Sequence, residues 1–196
     1  MANDAVRVLL PEEATREQVE AALRRRGWHF HRFFEQGQIQ PARWQWVADP
    51  DNEVTYMEDR LFRWRYLVLS GPRRELIAGE LRAELPTLSR EDVLRMWDCA
   101  WQRPHTAADE LVGAAHALGI GAPTAPDPEI MARLAYGLRL PEPKVRLAVL
   151  RAIGFTQWIE FYEGLQWFAE NDPEPYLRNY AESLVLAIER SGDFIR

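Results

Sequence analysis

A Pro-Glu-Pro element occurs twice, at Pro141-Glu142-Pro143 and at Pro173-Glu174-Pro175. Each copy heads an arginine-containing stretch rich in small and aliphatic residues, LRLPEPKVRLAVLRAIG from Leu138 and NDPEPYLRNYAESLVLAIE from Asn171. The steps from Pro143 to Pro175 and from Arg146 to Arg178 are both 32 residues. The residue before a proline is pushed out of the α region, so Pro141 predicts the end of one helix. Pro143 predicts the first turn of the next, where its missing N–H is not needed. Glu142 then stands where a negative charge meets the positive end of the helix dipole. A helix-turn-helix unit with a period in the low thirties signals an α-solenoid. One such pair cannot bury its apolar face alone, and about three stacked pairs are needed for stability.

The chain after Pro86 has that pattern throughout. Ser89 and Asp92 form a capping-box sequence leading into Val93, Leu94, Trp97 and Trp101. A second helix is expected from Thr106 to Leu118, stopped by Gly119 and Gly121. A third follows Pro126-Asp127-Pro128 with Ile130, Leu134 and Leu138, and a fourth runs from Pro143 to Gly154. The fifth carries Trp158, Phe161, Tyr162, Leu165 and Phe168. The sixth carries Leu177, Ala181, Leu184 and Ile188 and ends at Gly192. These helices pair into three antiparallel units.

The opening segment reads differently. Ala5–Leu10 is a short aliphatic strand, and Thr15 with Gln18 forms a capping box for a short helix ended by Gly27. From Trp28 the apolar period shifts toward two. Trp44 and Trp46 alternate with Gln45 and Val47, ADPDN supplies a turn, EVTYM resumes as a strand, and RWRYLVLS forms another. These read as a meander of three strands, with WHFHRFF as a candidate fourth. After Gly71-Pro72, Ile77, Leu81 and Leu85 are spaced by four, a helical stripe. The expected fold class is an α+β N-terminal module (residues 1–85) followed by an all-α solenoid of three helix pairs (residues 86–196).

Pro143, Val145, Arg146, Ala148, Ala152, Ile153 and Gly154 make this stretch similar to the second-helix signature of HEAT repeats, Asp-Pro-x-x-Val-Arg-x-x-Ala-x-x-Ala-Leu-Gly. In the next copy Asp172, Pro173, Arg178 and Ala181 match, without the closing Ala-Leu-Gly. The first pair keeps Ala117, Leu118 and Gly119. The resemblance covers roughly residues 89–190. It implies that Arg146 and Arg178 make structural hydrogen bonds or ion pairs between helices, the alternative being direct partner contact. It also implies that the second helix of each pair lines the concave, partner-binding face.

Bulk chemistry narrows the function. With 30 acidic against 24 basic residues, all but one of the latter arginine, the net charge is −6. Residues 86–196 hold 11 basic against 16 acidic side chains, whereas a nucleic-acid face needs clustered positive charge. Arg24-Arg25-Arg26 is the nearest basic run, and at a helix C-terminus it complements the dipole. No nucleic acid is expected as partner. A single cysteine, Cys99, excludes an internal disulfide, and nothing around it lowers its pKa, so a buried, inert thiol is expected. Residues 1–20 carry charges throughout and no long apolar run occurs, so no membrane association is expected and a reducing cytoplasm fits.

No catalytic constellation stands out: there is no phosphate loop, nucleophile elbow or His-Glu-x-x-His motif. His29 and His31 share a face on a regular strand, as metal ligands do, but they sit among Trp28, Phe30, Phe33 and Phe34 without a third ligand. Asp49, Asp51 and Glu53 read as a hairpin turn, Glu58-Asp59 as another turn, and His116 as a packed residue. Trp167 is different. Phe161, Tyr162, Leu165 and Phe168 complete the core of their helix, which turns Trp167 toward Glu160, Glu163 and Gly164, either as an interaction anchor or as a contact for the N-terminal module.

The expected function is a non-enzymatic protein–protein interaction module, an adaptor or an immunity-type inhibitor, with neither cofactor nor metal. Its partner is a protein carrying a basic patch. The expected contact residues are Asp109, Glu110, Lys144, Arg151, Trp167, Glu182 and Glu189. Two enzymatic alternatives come from the HEAT-like resemblance, a DNA-glycosylase-like and a bilin-lyase-like activity, and both rest on fold alone. A small-molecule site lined by Trp44, Trp46, Trp64 and Tyr66 is a further alternative.

Overall fold

The computed structural model describes residues 5–37, 41–102 and 108–190. Among the described residues an antiparallel five-stranded sheet in the N-terminal half is followed by seven α-helices, a mixed α+β chain, and the contacts separate it into two compact units, Asp4–Arg90 and Glu91–Arg196. The expected start of the second helix at Thr106 and end of the sixth at Gly192 lie outside the described residues.

In the first unit the order is β1 (Val6–Leu10), α1 (Arg16–Arg25), β2 (His29–Phe34), β3 (Ala42–Asp49), β4 (Asn52–Asp59), β5 (Trp64–Ser70) and α2 (Arg74–Glu84). The sheet runs β1-β5-β4-β3-β2, so the meander from β2 to β5 is closed on its far side by β1. Thr15 and Gln18 form the expected reciprocal capping box, worth about 1 kcal/mol. Gly71, at φ +104°, is required: a Cβ there would lie 2.1 Å from the Asp51 carbonyl oxygen.

Register decides which side chains share a face. Val8 and Leu67 stand opposite one another, as do Trp46 and Val54, and Val54 and Leu69. These join Val19, Ala22 and Leu23 of α1 and Ile77, Ala78 and Leu81 of α2 in one core. Trp44 and Trp46 belong to this helix-covered face, Trp44 directly opposite Tyr56. Tyr66 stands opposite Leu9 and Met57 and Trp64 opposite Asp59, on the other face of the sheet. The four aromatics proposed as a small-molecule site are therefore split between two faces and cannot line one pocket.

The second unit contains α3 (Arg90–Gln102), α4 (Ala108–Ile120), α5 (Pro128–Gly137), α6 (Pro143–Thr156), α7 (Tyr162–Asn171, preceded by a short 3-10 turn) and α8 (Pro175–Arg190). Pro143 and Pro175 are each the first helical residue, as the repeated phrase predicts. Asp127 caps α5, accepting hydrogen bonds from the Glu129 and Ile130 amides. α4 packs most extensively on α6, and α7 on α8. α3 meets α5 through a bidentate Arg133–Asp98 pair (2.9 and 2.8 Å) and an edge-on Trp101–Tyr136 contact.

Two sequence expectations are corrected in this unit. Gly119 and Gly154 do not stop their helices: α4 continues to Ile120 and α6 to Thr156, closed by Gln157 in the left-handed region at φ 54°. Their role is close approach, since a Cβ on Gly119 would lie 2.5 Å from the Ala152 Cα and one on Gly154 would lie 3.1 Å from Leu184 Cδ2. Cys99 is exposed rather than buried. The buried stripe of α3 runs through Val93, Leu94, Trp97 and Ala100, and Cys99, two positions after Trp97, falls on the opposite side.

Arg146 makes the structural bonds that the repeat resemblance implies. Buried on α6, it grips Asp172 through Nε (2.7 Å) and Nη2 (3.1 Å) and donates from Nη1 to the carbonyls of Leu140 and Pro141. Arg178 on α8 repeats the second half of this pattern, donating from Nη1 to the carbonyls of Asp172 and Pro173. In both copies the arginine satisfies carbonyls six and five residues upstream, so it locks the loop that introduces its own helix. No described helix is long and apolar enough to cross a membrane.

Candidate functional site

Among the expected contact residues of the helical unit, Lys144 and Asp109 are in direct contact. Lys144 at the start of α6 lies 3.1 Å from Asp109 of α4, both side chains exposed, so this cation and this acid neutralise each other across the helix seam. Glu110 beside Asp109 is exposed, and Arg151 is half-buried on α6. On α8, Glu189 accepts a 2.7 Å hydrogen bond from the Tyr162 hydroxyl of α7, and that bond raises the Tyr162 pKa above its ordinary value. Tyr162 is thus a half-buried polar link rather than a core residue. Glu182, seven residues before Glu189, lies on the same flank of α8 and is exposed.

Trp167 of α7 is 65% exposed, while Phe161, Leu165 and Phe168 are buried and complete the apolar side of that helix. Its neighbours Glu163, Gly164 and Glu170 are exposed as well. Trp158, read from sequence as part of the same stripe, is buried just before the 3-10 turn and donates from Nε1 to the Thr124 carbonyl.

A second surface lies on the sheet unit, along its edge strand β2. A β-bulge between Phe30 and Arg32 leaves His31 as the extra residue, so Phe30 and Phe33, three apart, stand opposite Trp46 and Trp44 on the same face. Both phenylalanines touch those indoles (centroids 5.8 and 4.8 Å apart) yet remain 51% and 44% exposed. His29, Arg32 and Phe34 point to the other face, opposite Val47, Gln45 and Arg43. There the Arg32 and Arg43 guanidinium groups both lie over the Phe34 ring, 4.7 and 4.2 Å from its centroid. Arg32 Nε also donates to the Gln45 side-chain oxygen. Among the described residues neither arginine is in an ion pair, whereas Arg25 and Arg26 of the basic run both bind Glu84.

Next to these groups is a shallow depression of about 510 Å³ lined by His29, His31, Arg32, Gln45, Val47 and Glu53, among others. The two histidines do border one space, but the described residues contain no group of three potential ligands that could hold a metal ion. Pro50 and Asp51 form the expected turn, but Glu53 lies in β4 and Glu58 and Asp59, read as a turn, are its last two residues; Asp59 accepts the Leu61 and Phe62 amides of the turn that follows.

Arg43 and Phe34 were not singled out in the sequence, because the contact joining them depends on cross-strand register. The visible signal was compositional: basic and aromatic residues alternate in HFHRFF and again in RW. No family model, curated protein or solved structure matches the chain.

Proposed function

We propose that the chain is a non-enzymatic protein–protein interaction module, acting in the cytoplasm as an adaptor or immunity-type inhibitor, whose helical unit is a short HEAT-like solenoid. Several contacts support the stacking. The first helices α3 and α5 are joined by Asp98–Arg133 and Trp101–Tyr136. The second helices α4, α6 and α8 approach through Gly119 against Ala152 and Gly154 against Leu184. Arg146 and Arg178 brace successive loops in the same way. An exposed free thiol at Cys99 fits a reducing compartment.

The observation that carries the binding reading is Trp167. Exposing 65% of an indole on a helix whose core is already complete costs solvation without improving packing, and tryptophan is the side chain most enriched at binding hot spots. The exposed acids Glu182 and Glu189 on α8 make the partner a protein with a basic patch. The test is photo-crosslinking from the Gln166 position in cells of the source organism, followed by capture with wild type and with Trp167→Ala. A crosslinked protein that wild type retains and Trp167→Ala loses supports the reading. Equal capture by both removes Trp167 as anchor, and tight, salt-sensitive binding of duplex DNA by wild type would favour the glycosylase-like alternative.

A further inference from the structure

We propose that the β2 edge of the sheet unit binds an extended acidic peptide, which joins the sheet as a sixth strand and alternates apolar with carboxylate side chains. β2 is terminal in the sheet, and His29–Phe33 are all exposed, so no described residue covers the strand. Its outward backbone amides and carbonyls form the kind of template to which extended chains add. An added strand sends successive side chains to opposite faces of the sheet, and the two faces next to β2 differ in chemistry. One presents Phe30 and Phe33, backed by Trp46 and Trp44, as an apolar strip continuous with the core. The other presents the Arg32 and Arg43 guanidinium groups, without ion-pair partners among the described residues, and Arg32 lies beside the depression bordered by His29 and His31. Side chains of one parity would pack on the phenylalanines, and carboxylates of the other parity would reach the arginines, where charge-assisted and bidentate hydrogen bonds form.

The split between faces also argues against two other occupants. Single-stranded nucleic acid needs stacking rings and phosphate-binding cations along one platform, whereas here the exposed rings and the cations lie on opposite faces. A second copy pairing through its own β2 would bring the same arginine-bearing strand alongside and add like charge to that face rather than the carboxylates that complement it.

The surface lies on a different unit from Trp167, so its failure leaves the earlier proposal untouched. Fluorescence polarisation would compare the full chain against labelled ten-residue probes: alternating Glu/Val, alternating Lys/Val, the Glu/Val probe N-methylated at every other residue, and oligouridine. Binding of the Glu/Val probe is expected to weaken at least tenfold for the Lys/Val and N-methylated probes. The double variant Arg32→Glu/Arg43→Glu, at one exposed and one half-buried position, should lower it by a similar factor, with an unchanged circular dichroism spectrum. Equal binding of the N-methylated probe would exclude strand addition. Equal binding of the Lys/Val probe would exclude the charge argument, and tighter binding of oligouridine would reassign the surface to nucleic acid. Concentration-dependent dimerisation lost with the double variant would reassign it to a second copy.

Discussion

Arg146 in the helical unit and the pair Arg32 and Arg43 in the sheet unit carry the same group into opposite surroundings. Arg146 is buried and places its donors on a carboxylate and two carbonyls. Arg32 and Arg43 lie on an aromatic ring and form no ion pair among the described residues, and Arg32 borders an open depression. A buried charge is tolerable only when paired and hydrogen-bonded. An exposed charge keeps its hydration and needs no partner, and so remains available to a ligand. Arginine identity alone therefore says little about role; desolvation separates a bracing arginine from a binding one.

The sharpest way to break this contrast is to remove Arg146. Arg146→Ala leaves Asp172 buried and uncompensated and should cost about 3–5 kcal/mol in chemical denaturation. Arg178→Ala loses only bonds to carbonyls and should cost about 0.5–1.5 kcal/mol. The double variant Arg146→Met/Asp172→Leu should recover part of the first loss, because an apolar pair can replace a buried ion pair. Similar losses at Arg146 and Arg178 would mean that the carbonyl bonds, not the buried pair, hold the loop.

Close approach between second helices gives the next effect in size. Gly119→Ala drives a Cβ to 2.5 Å from backbone Cα and 2.7 Å from backbone O of Ala152, which cannot swing aside, and should cost about 1–3 kcal/mol. Ala148→Leu on buried α6 should fall in the same range, about 1–3 kcal/mol. Gly154→Ala meets only the tip of Leu184 and gains up to about 1 kcal/mol of helix propensity, so it should be neutral or stabilising. Thermal unfolding of the three variants side by side tests the ranking.

Features encoded locally were legible. The Thr15–Gln18 capping box, the prolines opening α6 and α8, and the turn at Pro50-Asp51 depend on a few neighbouring residues. What depended on distant neighbours was not. Gly119 looks like a helix stop unless Ala152 is known to press on it. The bulge at His31, which puts Phe30 and Phe33 on one face, depends on the register with β3. Trp44 and Trp64 look equivalent in composition, and only the sheet register assigns them to different faces. Apart from the half-buried Arg151, the acids and bases expected to form one contact face were legible as exposed side chains, but their pairing was not. Lys144 is neutralised by Asp109, and Glu189 is engaged by Tyr162, through contacts between helices.

The Asp98–Arg133 pair is the exposed counterpart of Arg146–Asp172, and its effect should be correspondingly smaller. The hydrogen bond from Arg133 holds the Asp98 carboxyl below its ordinary pKa. A depressed folded-state pKa stabilises the fold above the unfolded value of about 4, and that contribution disappears as pH falls through the folded value. With Asp98 44% exposed, solvent screening limits the contribution to about 1 kcal/mol or less. Asp98→Asn should therefore be slightly less stable than wild type at neutral pH, and the gap should close in strong acid. A gap that persists in acid would trace the loss to packing rather than charge.

The smallest stability effect is expected where the binding proposal rests. Cation–π contacts at exposed sites contribute about 0.5–1 kcal/mol, and Arg32 and Arg43 share one ring, so removing either leaves the other in place. Arg43→Ala should therefore shift unfolding by no more than about 0.5 kcal/mol, the range of ordinary surface substitutions. Arg32→Ala additionally frees the Gln45 side-chain oxygen; because the β2 side of that contact is open, water can replace the lost donor and the change should stay within about 1 kcal/mol. Urea denaturation of the two single variants measures both. A loss of 2 kcal/mol or more at either position would make that arginine a structural brace like Arg146 and would remove the basis for assigning it to a ligand. Stability close to wild type, combined with weaker binding of the acidic probe, would show the same side chain serving the fold in one unit and recognition in the other.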